Sequence, residues 1–121
     1  MYETETMVSE NDEPIEYLIS DQVLIRSEQD ALDTMGNSGA QSLVLHAHNF
    51  ESDFFDLSTR KLGDILQKFT NYRVRLGVIG DFSKYPSAPL RDFIREFNRH
   101  GEYLFVGSMD EIRRVWKITE G

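Results

Sequence analysis

The most constraining feature of the sequence is an alternation of short apolar runs with longer segments of helical periodicity. Leu43-Val44-Leu45, Val74 to Ile79 and Tyr103 to Val106 are runs rich in apolar residues. Such runs are typical of strands that are covered on both faces of a sheet. Strands that alternate with helices favour a mainly parallel sheet on which the connecting helices pack.

Four segments carry helix signals. Ser27 begins the first, because Ser-Glu-Gln-Asp contains an acid three residues after a capping side chain. The second covers residues 58–71, where apolar residues recur at three- and four-residue spacing. Residues 90–97 repeat that spacing and Gly101 ends the third helix. Ser108 opens the fourth with a Ser-Met-Asp-Glu capping box.

The amino-terminal part is more polar. Residues 1–14 contain five acids and no base, and we interpret them as an acidic leader that is either disordered or an edge strand. Ile15 to Ile19 and Val23-Leu24-Ile25 are short apolar stretches that predict a strand pair or one bent strand. We therefore expect a single α/β domain over residues 15–121, with a four- or five-stranded, mostly parallel or mixed sheet and about four helices.

Composition excludes several classes of function. The net charge of −8 disfavours nucleic-acid binding, which needs a clustered basic surface. No apolar run approaches the length of a membrane span, and the acidic start is unlike a signal peptide. The absence of cysteine excludes disulfides and thiolate chemistry and fits a reducing compartment. We expect a cytoplasmic protein without a cofactor.

Five short motifs are distributed along the chain after Leu43. They are Phe54-Phe55-Asp56-Leu57, Ile65-Leu66-Gln67-Lys68-Phe69, Asn71-Tyr72, Gly80-Asp81-Phe82-Ser83 and Asp92-Phe93-Ile94. Through them the chain resembles an uncharacterised bacterial family known as domain of unknown function 4180. The family has no assigned activity, so the resemblance implies no chemistry. Where the family usually has a turn rich in Gly and Ala, this chain has Arg60-Lys61.

The element order, in which Leu43-Val44-Leu45 leads through a loop to Asp56-Leu57-Ser58-Thr59, resembles that of STAS domains. These are anti-sigma-factor antagonist modules that also occur on sulfate transporters. Their corresponding helix opens with Asp-Ser-Ser-Gly, and a partner kinase phosphorylates the second Ser. The resemblance aligns Ser58 with that residue and Thr59 with the Gly. It implies a STAS-like fold and a regulatory, protein-binding role.

Residues Asp56, Ser58, Thr59 and Arg60 are the leading candidates for partner binding or phosphorylation. A helix start carries unpaired amides and partial positive charge, which favour a phosphorylated hydroxyl. The alternative is that Ser58 or Asp56 only caps the helix, which would equally explain these residue types.

His46 and His48 are candidate metal ligands, because both imidazoles lie on one face of a strand end and Asp53 and Asp56 follow. The alternative is structural, with each ring held by a backbone carbonyl. A third spaced ligand is missing, so we expect no metal.

Asp81, Ser83, Lys84 and Tyr85 form the most enzyme-like cluster, since open α/β sheets bind ligands beyond the carboxyl ends of their strands. The same residue types are also ordinary in loops and caps. No pair of base and nucleophile at a known spacing accompanies them.

The basic residues of the third helix suggest one more contact. Arg91, Arg95 and Arg99 lie four residues apart on one helical face, and Arg113, Arg114 and Lys117 add a basic patch on the fourth helix. They are either a solvated surface balanced by neighbouring acids or a face that the acidic leader covers. The leader could alternatively add an edge strand and mediate homo-oligomer formation.

Together these features favour a non-catalytic regulatory module that binds a partner protein and is switched by phosphorylation at the start of the second helix. The alternative is a small ligand-binding protein or enzyme that uses the cluster around Asp81.

Overall fold

The computed structural model describes residues 2–119 and contains one mixed sheet with four α-helices, which confirms the α/β class. The strands are β1 Glu3–Ser9, β2 Pro14–Ile19, β3 Ser42–His46, β4 Arg75–Ile79, β5 Tyr103–Val106 and β6 Ile118–Thr119. The helices are α1 Glu28–Ser38, α2 Lys61–Asn71, α3 Ala88–His100 and α4 Met109–Trp116.

The strand order across the sheet is β5-β4-β3-β2-β1-β6. Strands β2 to β5 are parallel, and β1 is antiparallel to both of its neighbours. The sheet therefore has six strands, more than the four or five expected from the sequence. The additional strands lie at one end, where the leader supplies β1 and a two-residue segment supplies β6.

The helix boundaries follow from their capping groups. Ser27 accepts a hydrogen bond from the Asp30 N–H at 3.1 Å, as its position predicts. Ser108 accepts from the Glu111 N–H at 3.4 Å and opens α4. The third helix ends at Gly101, whose φ of 86° is the left-handed conformation that a glycine adopts without strain.

The two faces of the sheet bury separate cores, because alternate side chains of each strand point to opposite faces. Leu43 and Leu45 lie in the larger core, which α1, α2 and α3 cover. Val44 lies in the smaller core with Ile112 and Trp116 of α4. Helix α4 has only eight residues, and the half-exposed Tyr17 and His46 lie at the margin of this face.

The acidic leader belongs to the sheet. Its last acids meet bases of the folded domain: Glu10 lies 3.5 Å from Lys117 and Glu13 lies 3.8 Å from Arg75. Lys117 belongs to the basic patch that the leader was expected to cover, and within residues 2–119 no ion pair joins the leader to the arginines of α3. Arg95 pairs instead within its own helix, with Asp92 at 3.1 Å, and Arg99 does the same with Glu96.

Two predicted elements differ from the structure. Val23-Leu24-Ile25 is a loop with a single bridge from Ile25 to Phe50, because the N–H groups of Leu24 and Ile25 both donate to the Asn49 carbonyl. The run is apolar because Ile25 is buried in the larger core. The second helix begins at Lys61 rather than at residue 58, for a reason that the site geometry makes clear.

Candidate functional site

Every candidate residue lies near one edge of the sheet. Strands β2 to β5 are parallel, so their carboxyl ends share this edge. The loops that follow β2, β3 and β4 begin there at residues 20, 47 and 80. These loops carry the histidine pair and both serine-containing clusters. The structure therefore gathers on one side groups that the sequence distributes over forty residues, from His46 to Tyr85.

The first serine cluster is a turn held by Asp56. Its Oδ1 accepts hydrogen bonds from the Ser58 N–H at 3.0 Å and from the Ser58 hydroxyl at 2.6 Å. Residues Leu57–Thr59 form one 3-10 turn, and Arg60 follows in the left-handed conformation with φ 64°. Arg60 separates the turn from α2. The alternative in which Ser58 caps this helix is therefore not observed. Asp56 caps the 3-10 turn instead.

Thr59 has a structural role in the same loop. Its hydroxyl lies 3.1 Å from the Asp53 carbonyl and 2.9 Å from the Asp56 carbonyl, and it accepts from the Lys61 N–H at 3.2 Å. It thereby satisfies a backbone donor at the start of α2. Ser58 and Arg60 are exposed, whereas Thr59 is half-buried. Of the two residues, Ser58 is the more exposed.

The second serine cluster repeats the geometry of the first. Asp81 Oδ1 accepts from the Ser83 N–H at 3.1 Å and from the Ser83 hydroxyl at 2.5 Å, and Phe82–Lys84 form a 3-10 turn. These hydrogen bonds, with the bond from the serine hydroxyl the largest cause, lower the pKa of Asp56 and of Asp81. Both carboxyl groups are therefore ionised acceptors at neutral pH.

Aromatic rings join the two turns. The ring of Phe55, the residue before Asp56, lies 5.6 Å from the Phe82 ring and 5.4 Å from the Tyr85 ring. The Lys84 ammonium lies 5.5 Å from the centre of the Tyr85 ring, within the range of a cation–π contact. We call the exposed groups of the two turns, Asp56, Ser58, Arg60, Asp81, Ser83 and Lys84, the carboxyl-edge surface.

The histidine pair lies at the end of β3. The His46 ring stacks on the His48 ring with centroids 5.1 Å apart, and His46 Nε2 lies 2.6 Å from the Tyr17 hydroxyl. Burial and then the neighbouring His48 lower the pKa of His46. Burial and then Glu5 raise the pKa of Tyr17. Both groups are therefore neutral in the folded protein, and a single hydrogen bond joins the Tyr17 hydroxyl to His46 Nε2.

Asn49 holds the loops after β2 and β3 together, and it is not one of the residues predicted from the sequence. It is fully buried; its Oδ1 accepts from the His46 N–H at 2.8 Å, and its Nδ2 donates to the carbonyls of Ser20 and Gln22. The only sequence signal is a polar residue directly before the buried Phe50. A buried amide with three hydrogen bonds has a structural role.

An open groove of about 650 Å³ lies beside the histidine pair. Its lining residues are Tyr2, Glu3, Ile19, Ser20, Asp21, Gln22, His46 and His48. The groove is therefore at the ends of β2 and β3, and none of the residues in the Asp81 cluster lines it.

The donor groups considered for a metal are engaged elsewhere. Asp53 pairs with Lys61 at 2.7 Å, and Asp56 accepts from Ser58. His48 Nε2 lies 2.7 Å from the Ser20 carbonyl. Within residues 2–119, no group of three or more His, Asp or Glu side chains has a geometry that could hold a metal ion.

Comparison with known proteins identifies one family. Residues 10–115 match the model of a domain of unknown function, DUF4180. No curated protein and no solved structure matches the chain. Over the part of the chain that the structure describes, none of the helices has the length and apolar character needed to cross a membrane.

Proposed function

The chain belongs to the DUF4180 family, a domain of unknown function, and we propose that it is a non-catalytic regulatory module that binds a partner protein in the cytoplasm. The carboxyl-edge surface is the proposed contact. The observation that carries the proposal is the pair of matching Asp-x-Ser turns, which Phe55 joins through its contacts with Phe82 and Tyr85.

The chemistry of the two aspartates supports binding over catalysis. A general acid or base works best when its pKa lies near the working pH. Hydrogen bonds from the serines instead lower the pKa of Asp56 and Asp81, and both side chains are exposed. Fixed, ionised carboxylates beside hydroxyls suit the recognition of donor groups on another protein.

Phosphorylation of Ser58 would be a switch for this surface. The exposed Ser58 hydroxyl now donates to Asp56. A phosphate on that oxygen would remove the donor and add about two negative charges beside the carboxylate. Like-charge repulsion would then open the turn. The resemblance of the element order to STAS domains supports a regulatory modification at this residue.

The alternative function is the binding of a small ligand. The observation that favours it is the groove beside the Tyr17–His46 pair, at the carboxyl edge where open α/β sheets bind ligands. This ligand site would lie at the histidine pair, and a ligand site at the Asp81 cluster stays a second prediction. A thermal-shift screen with a metabolite panel, repeated on His46→Gln, separates it from partner binding.

The experiment for partner binding compares captured proteins between matched variants. The test variants are Asp56→Ala and Ser58→Asp, and the control is Asp33→Ala, which removes another exposed carboxylate that accepts from Gln29 on α1. We expect quantitative mass spectrometry to show partners that both test variants lose and the control retains. Retention of every partner by both test variants would contradict the proposal.

A further inference from the structure

The sheet ends at β5 on one side and at β1 with the two-residue β6 on the other. These two edges differ in how their backbone groups are paired. The outer edge of β5 is occupied at Phe105, whose backbone N–H and carbonyl both hydrogen-bond to the Asn98 side chain. Strand β1 pairs with β2 from Glu3 to Val8, but it pairs with β6 only at Val8 and Ser9. Within residues 2–119, the outer edge of β1 therefore has no strand neighbour from Glu3 to Met7.

The hydrogen-bond pattern identifies the backbone groups that point to the outer side of β1. The Ser9 N–H donates to Glu13 at the start of β2, and the Glu10 N–H donates to Lys117 beside β6. In an antiparallel strand, residues direct their N–H and C=O groups alternately to the two sides. Thr4 and Thr6 are in phase with Glu10, so their N–H and C=O groups point outward, where no strand lies among the described residues.

The side chains at this edge define the chemistry of an added strand. Glu3, Thr4, Glu5 and Thr6 are all exposed. Glu3 and Glu5 lie on one face, and within the described part of the chain neither forms an ion pair. Among the described residues, the edge combines backbone groups without a strand partner with two carboxylates that form no ion pair, at i and i+2 spacing.

We propose that the edge of β1 from Glu3 to Met7 binds an extended, basic segment of a partner protein by strand addition. The backbones of Thr4 and Thr6 supply the hydrogen bonds, and Glu3 and Glu5 select alternate Lys or Arg side chains. This edge shares no residue with the carboxyl-edge surface, so it adds to the proposed function and does not depend on it.

Charge favours a basic partner over a second copy of this chain. Two β1 strands paired in antiparallel fashion about Glu5 would bring the two Glu5 carboxylates directly opposite each other. Like charges in opposed positions destabilise a strand pair. An added strand with Lys or Arg at the same positions replaces that repulsion with attraction.

The experiment titrates a short peptide of alternating Lys and Val into the full chain labelled with ¹⁵N. We expect hydrogen exchange of the Thr4 and Thr6 amides to slow by about tenfold or more at saturation, and the affinity to fall as salt is added. The matched peptide with Glu in place of Lys should not bind. Equal binding of both peptides, or shifts confined to the carboxyl-edge surface, would overturn the proposal.

Two variants at one position isolate the backbone contribution. Thr6→Pro removes an outward N–H that donates to no strand in the described residues, and edge strands tolerate proline there. Thr6→Val keeps the N–H and is the control. We expect Thr6→Pro to weaken peptide binding by about tenfold, equivalent to 1.4 kcal/mol, and Thr6→Val to preserve it. Circular dichroism verifies the fold, and unchanged binding by folded Thr6→Pro would overturn the proposal.

A charge-reversed variant gives an independent readout if Thr6→Pro does not fold. Glu3→Lys combined with Glu5→Lys should reverse the preference, so that the acidic peptide binds and the basic one does not. Failure to reverse would contradict selection by these carboxylates. Sedimentation of the wild-type chain at two concentrations tests the other occupant: a dimer that protects Thr4 and Thr6 without peptide would assign the edge to a second copy.

Discussion

The side chain of Asn98 pairs with the backbone of Phe105 as a neighbouring strand would. Its Oδ1 accepts from the Phe105 N–H at 2.7 Å, and its Nδ2 donates to the Phe105 carbonyl at 3.0 Å. Asn98 lies on α3, so the helix that precedes β5 also closes the outer edge of that strand. An unpaired strand edge is a template for association, and this amide removes the template at one residue.

Replacing Asn98 by Ala should destabilise the fold, because both backbone groups of Phe105 lose their partner. We expect the free energy of unfolding in urea to fall by about 1–3 kcal/mol. The control is Asn71→Ala, an exposed amide at the end of α2 that accepts a hydrogen bond from Gln67 at 2.9 Å. Its effect should stay within about 0.5 kcal/mol. Equal stability of the two variants would contradict the edge-closing role.

Replacing Arg60 by Gly should stabilise the protein. Arg60 is exposed and has φ 64°, a conformation that is costly for a residue with a Cβ atom. The gain should be about 0.5–1 kcal/mol after the larger backbone entropy of Gly in the unfolded chain is included. Arg91→Gly, inside α3, should instead lose about 1 kcal/mol. A loss at both positions in thermal or urea unfolding would contradict strain at Arg60.

Replacing Gly77 and Gly63 by Ala should change the free energy of unfolding in opposite directions. A Cβ at Gly77 would lie 2.8 Å from Ile112 Cδ1 and 3.3 Å from the Trp116 ring, which a hydrogen bond to Gly101 holds in place. Gly77→Ala should therefore cost about 1–3 kcal/mol. Gly63→Ala meets no atom within 4 Å and should gain about 1 kcal/mol, because Ala is the better helix former. Calorimetry of both variants tests the sign of each change in the free energy of unfolding.

The core of the fold is predictable from the sequence because buried apolar residues form continuous runs in strands and recur at helical spacing in helices. The continuous run Leu43-Val44-Leu45 is a strand buried on both faces, and Gly101 ends α3 where expected. Other features produce no such pattern of apolar residues. Strand β6 has only two residues, which is too short for a pattern. The sequence predicts the start of α2 three residues too early. Leu57 packs on the same core from a 3-10 turn, so the helical spacing of apolar residues continues beyond the helix.

The candidate site is predictable in its residues but not in their contacts. The carboxyl edge could be inferred, because a loop that follows a parallel strand must begin there. The Tyr17–His46 hydrogen bond joins residues 29 positions apart. It depends on the register of β2 against β3, which pairs Tyr17 with Val44 and which a single sequence does not encode locally. The contact of Phe55 with Phe82 is long-range for the same reason.

The lowered pKa of His46 should make the stability depend on pH below about 6.5, the ordinary pKa of histidine in an unfolded chain. In the folded protein, burial and then His48 disfavour the charged ring, so the unfolded chain binds more protons in this window. Stability contributed by His46 is therefore complete above pH 6.5 and is lost as the pH falls toward the lower, folded-state pKa. NMR titration of the ring should give a midpoint below 6.5.

Two variants test the cause of this dependence. His46→Gln should remove the loss of stability between pH 6.5 and about 5, a window above the range in which Asp carboxyl groups are protonated. His48→Gln removes the smaller of the two causes, so the pKa of His46 should rise part of the way toward its ordinary value and the window should narrow. If the slope of unfolding free energy against pH is the same in wild type and His46→Gln, protonation of His46 is not what lowers the stability. That result would assign the pH dependence to other groups.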